Sequence, residues 1–238
     1  MSEKAVIRRR IWRKMEESGV ARFPKPIEGR IPNFEGSEKA AQKLVGLEEF
    51  QRARVVKVNP DSPQTHVRRG VLLNGKLLII PTPRLRRGFI LLDPKMIPRK
   101  FLIGSSTIRG AFRYGKSCPL EELPEVDLIA AGSVAVSQDG VRIGKGGGYS
   151  EIEYGILREF GLVGEETPIF TTVHDLQIVS SAPKEEHDFV VDAIITPSKI
   201  VRLERKYPQP RGIIWERLSK DDLTAMPILN ELRDIIHK

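Results

Sequence analysis

Between Arg142 and Tyr149 the chain reads Arg-Ile-Gly-Lys-Gly-Gly-Gly-Tyr. Gly144, Gly146, Gly147 and Gly148 carry no Cβ, so the main chain can turn tightly there and offer its N–H groups to an anion. An apolar, strand-like stretch precedes the run and an amphipathic segment follows it. The loop would then open a helix, whose N-terminus carries roughly half a positive charge. Arg142 and Lys145 would complete a phosphate cradle. The spacing is not that of a P-loop, because no Gly-Lys-Ser/Thr follows. It is not a dinucleotide fingerprint either, because the third glycine would fall at Tyr149. The same glycines would equally serve a flexible hairpin with no ligand, and the residues alone leave both readings open.

Glu151, Asp188 and Asp192 fall near the ends of expected elements. A nucleotide-borne Mg²⁺ needs only one or two protein carboxylates, and Glu151 follows the glycines directly. By itself Glu151 reads more simply as a first-turn acid that steadies its helix. None of His66, His174, His187 and His237 has a zinc spacing, and His174 reads as a structural hydrogen-bond partner. The single cysteine, Cys118, excludes an internal disulfide framework and a multi-cysteine metal site. With no G-x-S-x-G and no histidine near Cys118, nucleophilic hydrolase chemistry has no support.

Hydrophobic residues make up 40% of the 238 and charged residues 29%, a soluble profile with apolar surface enough for a core. No apolar run approaches the ~20 residues of a membrane span. The basic N-terminus lacks the apolar centre of a secretory signal, so a cytoplasmic protein is expected. The net charge of +8 favours anionic partners. Arg8, Arg9, Arg10, Arg13 and Lys14 form one basic cluster and Arg84, Arg86 and Arg87 another; the two could meet around one anion or both face water.

Ser2 and Glu3 start a helix in which Ile7, Ile11 and Met15 share one face and Lys4 and Arg8 another. Residues 21–36 are rich in Pro and Gly and read as a connector. The pattern predicts a helix over Ser37–Gln51, a strand over Arg54–Val58, and a helix begun at Pro63 with Val67 and Val71 inward. Strands are expected at Leu77–Ile80, Asp127–Val136, Pro168–Val173 and Val190–Ile195, and helices at Glu151–Phe160 and within Leu223–Lys238. Residues 81–116 show no clear period. Alternating strands and helices imply an α/β fold with a mainly parallel sheet. One domain over residues 1–238 is expected, with the first helix at about 2–18 and the connector at about 21–36 packed onto it.

The run DGVRIGKGGGYSEIEYGIL, Asp139 to Leu157, resembles the signature of the 5-formyltetrahydrofolate cyclo-ligase family, roughly G-x-R-[IL]-G-x-G-x-G-Y-Y-D. Lys4 and Arg8 match an N-terminal K-x-x-x-R, and Pro83-Arg84-Leu85 resembles a proline-basic-aliphatic motif after a strand. Pro183, His187-Asp188 and VDAIITP resemble the family's closing segment. The similarity runs from Lys4 to about Thr196. It is closer still to the branch of methenyltetrahydrofolate synthase domain-containing proteins, on Arg30–Phe34, Ile80–Arg86, Gly132–Ser137, Arg142–Tyr149, Val173–Asp175 and Pro227–Leu229. Nothing here resembles the aromatic motifs of that branch's RNA-recognition domain.

The resemblance implies a Rossmann-like three-layer fold of the NagB/RpiA/CoA-transferase kind and an ATP- and Mg²⁺-dependent ring closure. ATP would phosphorylate the formyl oxygen of 5-formyltetrahydrofolate, N10 would attack the activated carbon, and loss of phosphate would leave 5,10-methenyltetrahydrofolate. Lys4, Arg8 and Arg142 would hold phosphate. The nucleotide-binding run would extend from Arg142 and Ile143 through Gly144, Lys145, Gly146, Gly147 and Gly148 to Tyr149 and Ser150. Lys145 to Tyr149 would also border the folate or a related formylated pterin. Arg142, Lys145 and Tyr149 would be catalytic, and Glu151 and Asp188 would take the metal. The chain departs from the family in Tyr149-Ser150-Glu151, where Tyr-Tyr-Asp is usual, and in Gly132–Ser137, where P-G-x-A-F-D is usual. The substrate-loop glutamate has no clear match near Ser62–Val67. The competing expectation is a non-catalytic nucleotide- or RNA-binding module, whose mark would be cations along an open stripe rather than converging on one pocket.

Overall fold

The computed structural model describes residues 2–236. His237 and the end of the expected C-terminal helix lie outside the described residues. Ser2 caps the first helix, α1 (Glu3–Glu17), its Oγ accepting from Ala5 N, and Ile7, Ile11 and Met15 face the core as their spacing requires. The connector is ordered by a short antiparallel pair, β1 (Ala21–Arg22) with β2 (Asn33–Phe34), and buries Ile27 and Ile31. The helix expected over Ser37–Gln51 is two helices, α2 (Ser37–Val45) and α3 (Glu48–Arg52). Gly46, a poor helix former, and Leu47, extended at the next N-cap, break it.

The first central strand, β3 (Val55–Val58), is wholly buried. Pro63 opens a 3₁₀ turn that leads into α4 (Thr65–Leu73), and β4 (Leu77–Pro81) follows. The stretch without a readable period holds β5 (Phe89–Leu92), α5 (Leu102–Ser105), α6 (Ile108–Tyr114) and β6 (Lys116–Cys118), each too short to repeat a pattern. The single strand expected over Asp127–Val136 is β7 (Leu128–Ala131) and β8 (Ala135–Ser137), in different sheets. The break at Gly132–Val134 turns main-chain polar groups toward the site described below. After β9 (Arg142–Ile143), α7 (Tyr149–Glu159) starts two residues before the expected Glu151. The chain ends through β10 (Ile169–Thr172), β11 (Ile178–Val179), β12 (Ala193–Ile195), β13 (Ile200–Arg202), α8 (Lys220–Ala225) and α9 (Ile228–Ile236). Val190, expected in a strand, makes an isolated bridge to Val141 instead.

The large sheet runs β13-β12-β10-β7-β3-β4-β5-β6. Pairings from β12 to β4 are parallel and those at both edges antiparallel. Successive strand residues feed opposite faces: Val56, Leu78 and Ile80 pack with α1, α2 and α4, whereas Val55 and Ile79 pack with α7 and α9. Helices thus cover both faces, which is why the central strands are continuous apolar runs. The expected three-layer α/β architecture with a mainly parallel sheet is the observed one. A small sheet, β11-β8-β9, carries the approach to the glycine loop. No described helix is long and apolar enough to cross a membrane.

Candidate functional site

The chain leaves β3 toward β4 on one side and later returns with β7 on the other. The strand order therefore reverses between β3 and β7, and in such sheets a crevice opens beyond the carboxyl ends of the two strands. Here β3 runs into Asn59-Pro60-Asp61 and β7 into Gly132. Arg68 of α4, 1% exposed, gathers the first turn. Its Nη1 donates to Asn59 O at 2.6 Å and Asp61 O at 3.0 Å, its Nε to Ser106 O at 2.7 Å and its Nη2 to Thr65 Oγ1 at 2.9 Å. Burial lowers its guanidinium to about 10.

A buried network then fixes α7. Lys57 Nζ donates to Glu153 Oε2 at 2.6 Å and Asn59 Nδ2 donates to the same oxygen at 2.8 Å. Asn59 Oδ1 accepts from Gly132 N at 3.2 Å. Burial pushes the Glu153 carboxyl up, and Lys57 opposes it. The helix so held begins at Gly148, whose φ of 68° is left-handed and which has no side-chain cap. The first amides of α7 are therefore free of a side-chain acceptor and face the loop.

Onto this loop α1 brings Lys4 and Arg8, one turn apart. Arg8 Nε donates to Gly144 O at 2.6 Å, and Lys4 Nζ donates to Asp188 Oδ2 at 2.5 Å and lies 3.3 Å from Glu185 Oε1. Burial lowers the Arg8 guanidinium, Glu151 opposes this and Arg142 reinforces it. Arg142, 2% exposed, donates from Nε to Gly132 O at 2.8 Å, from Nη1 to Glu151 Oε1 at 2.5 Å and from Nη2 to Ser150 Oγ at 3.2 Å. Lys145 Nζ reaches Asp61 Oδ1 at 3.1 Å.

These groups line one cavity of about 290 Å³. Every residue named from the sequence as a site candidate is on its wall: Lys4, Arg8, the run Arg142 to Glu151, and Asp188. Sequence reasoning missed Asp61 and Glu185. Asp61 had a readable signal, an acid just past a central strand, whereas Glu185 is brought in by a turn in which Asp188 N bonds to Glu185 O. The two basic clusters do not meet. Arg9, Arg10, Arg13 and Lys14 line a shallow depression on the outer side of α1, and Arg84, Arg86 and Arg87 are exposed elsewhere. His174 is a structural residue: its Nδ1 accepts from Leu176 N at 3.2 Å and caps a 3₁₀ turn.

The donor set suits an anionic chain carrying a cation. Cations and main-chain amides meet phosphate oxygens, and Glu151 and Asp188 are within the same walls. No group of three or more His, Cys, Asp or Glu side chains that could hold a metal by itself occurs among the described residues. A phosphate-borne Mg²⁺ takes only one or two carboxylates, so the set fits that ion.

Residues 1–197 match the model of the 5-formyltetrahydrofolate cyclo-ligase family. The chain belongs to that family. Methenyltetrahydrofolate synthase domain-containing proteins are similar to most of it: that of Bos taurus is 42% identical over 231 residues, covering 95% of this chain and 61% of its own length. That of Mus musculus is 42% identical over 235 residues, covering 97% and 63%. This chain thus spans about three-fifths of the length of these relatives. The solved structure of 5,10-methenyltetrahydrofolate synthetase from Aquifex aeolicus superposes with a TM-score of 0.55 at 21% identity, covering 87% of this chain and 95% of that one. Cyclo-ligase family membership and the shared fold agree with the switch-point cavity, and residues 198–236 lie beyond the family match.

Proposed function

We propose that this chain is an ATP- and Mg²⁺-dependent ligase that closes 5-formyltetrahydrofolate to 5,10-methenyltetrahydrofolate, releasing ADP and phosphate. The observation that carries the reading is the convergence of Lys4, Arg8, Arg142 and Lys145 with the N-terminus of α7 on one cavity at the switch point. ATP supplies a phosphoryl group that turns the formyl oxygen into a leaving group, and Mg²⁺ offsets the phosphate charge. Such chemistry asks a protein mainly for positioning and charge compensation, not for a covalent nucleophile.

On this reading Lys4, Arg8 and Arg142 hold phosphate charge, with the amides from Gly144 to Gly148 closing around it. Glu151 and Asp188 take the metal. Arg142 is fixed by Gly132 O, so its guanidinium stays in register with the loop. Lys145 and Tyr149 sit where the loop meets α7 and border the formylated ring. Ser150, in place of the family's second tyrosine, orients Arg142 through its hydroxyl. Internal attack of N10 forms the new C–N bond, so the remaining task of the walls is to exclude water.

The test is direct. Purified protein is mixed with ATP, Mg²⁺ and 5-formyltetrahydrofolate, and methenyl absorbance and ADP are followed together. Equal yields of the two are expected, and Lys4→Met and Arg8→Ala are expected to cut kcat/KM by about 100-fold. Folded protein that binds Mg²⁺–ATP and forms no methenyl product refutes the reading. The exposed cations along α1 favour a second, non-catalytic property, contact with RNA phosphates; such binding must weaken steeply as salt rises, and its absence at low salt removes it.

A further inference from the structure

A second cavity, of about 370 Å³, backs onto the glycine loop. It shares Gly146, Gly147, Gly148, Glu151 and His187 with the charged cavity, so the loop is a common wall. Its other walls are of a different kind. Ile152 of α7 faces Ile213, Ile214 and Leu218, with Arg217 at the rim. Those last residues belong to a strap, residues 212–218, that lies beyond the stretch matched by the family model.

The strap is anchored at both ends of the cavity. Ile213 N donates to Glu159 Oε2 at 3.2 Å and Trp215 Nε1 to Glu159 Oε1 at 3.0 Å. Gly155 admits it to the surface of α7: a Cβ there would come within 2.9 Å of Ile213 Cγ1 and 3.1 Å of Gly212 O. On the far side Arg217 Nη1 donates to His187 Nδ1 at 2.7 Å, beside Asp188. The strap therefore bridges α7 and the turn that carries a proposed metal ligand.

We propose that this strap walls the site of the phosphoryl acceptor: the second cavity takes the flat ring of the formylated substrate, and Ile214, Leu218 and Arg217 decide which ring is admitted. The inference rests on the phosphoryl-transfer reading given above. In such a transfer the attacking and leaving oxygens stand roughly in line, on opposite sides of the moving phosphoryl group. With the donor's phosphates in the charged cavity, the acceptor belongs across the shared loop. The apolar side chains there suit a largely apolar ring with few polar anchors.

The experiment measures binding by calorimetry with three probes: Mg²⁺–tripolyphosphate, Mg²⁺–ATP and 5-formyltetrahydrofolate. Leu218→Asp changes the wall itself. Gly155→Ala changes it indirectly, strengthening the helix while pressing the strap outward. Circular dichroism checks that each variant is folded. Leu218→Asp should raise the Kd of 5-formyltetrahydrofolate about tenfold and leave that of Mg²⁺–tripolyphosphate within about twofold, with Gly155→Ala acting in the same direction more weakly. Unchanged folate affinity in both variants overturns the proposal, as does wild-type protein that does not bind 5-formyltetrahydrofolate. A loss confined to Mg²⁺–ATP also overturns it, because the wall would then serve the nucleotide's base. Failure of tripolyphosphate to bind the wild type would instead strike the phosphate reading, while the folate arm still decides the wall.

Discussion

Lys57→Met removes the cation from a pair whose side chains are 3% and 5% exposed and whose charged atoms are 2.6 Å apart. At an effective dielectric of about 20 the attraction at that distance is about 6 kcal/mol, of which desolvation of the two ions cancels a large part. Removing one partner is worse than removing both, because Glu153 is then buried with only Asn59 to satisfy it. The expected loss is about 3–5 kcal/mol, or a fall in Tm of roughly 6–20 °C for a chain of this size. Lys57→Met with Glu153→Leu should recover most of it, leaving about 1 kcal/mol for the acceptor Asn59 has lost. The pH dependence has a definite sign. Burial holds the Glu153 carboxyl above its unfolded value, and without Lys57 it rises further. A carboxyl raised on folding favours the native state below its unfolded pKa and loses that contribution as pH rises through the folded one. The Lys57→Met deficit should therefore be smallest in mild acid and grow toward neutrality. Thermal and urea unfolding of the two single variants and the double variant across pH test this. A Tm within about 3 °C of wild type, or single losses that simply add in the double variant, refutes the reasoning.

Arg68→Met should cost about 3–5 kcal/mol in urea unfolding, since it strands the carbonyls of Asn59, Asp61 and Ser106. Arg68→Lys should not rescue it, because a point ammonium cannot span acceptors that a planar fork reaches together. Burial holds the His174 imidazole below its usual value, and its Nδ1 is the acceptor of the cap. A base depressed on folding contributes stability above its unfolded pKa of about 6.5 and loses it as pH falls through the lower folded value. Stability should drop over that window, and His174→Asn, which keeps an acceptor without the titration, should flatten the drop in pH-dependent melting.

What the sequence alone revealed follows the range of the interactions involved. Lys4 and Arg8 were readable because four residues make one helical turn, and the glycines because their backbone freedom is local. The junction of β9, loop and α7 was legible for the same reason. The split of the strand at Gly132 was not, since it answers to Asn59 and Arg142, which are distant in sequence. Lys57 interrupts the otherwise apolar Val55–Val58, a visible oddity, but its partner Glu153 lies 96 residues away. Arg68 likewise looks like one charge on an amphipathic helix until the turn at Asn59–Asp61 wraps around it. The glycine loop was therefore legible in outline, and the network that aims it was not.

The unliganded cavity is close to electroneutral: Lys4, Arg8, Arg142 and Lys145 share it with Asp61, Glu151, Glu185 and Asp188. That balance is forced, because Arg142 and Lys4 are too buried to persist without partners. It also bears on the proposed function. A phosphate chain entering alone would meet four carboxylates still in place, and each cation it captured would strand an acid. A chain entering with Mg²⁺ exchanges partners instead: phosphate oxygens replace carboxylates on the cations, and the metal takes Glu151 and Asp188. ATP affinity should therefore fall at least about tenfold when EDTA removes the metal, and Asp188→Asn should shrink that difference by weakening the Mg²⁺-bound state while sparing the metal-free one. Titrations with and without Mg²⁺ on the wild type and the variant measure both. Equal ATP affinity in the two conditions would mean that the acids do not oppose phosphate, and the exchange, with the metal assignment that depends on it, would be wrong.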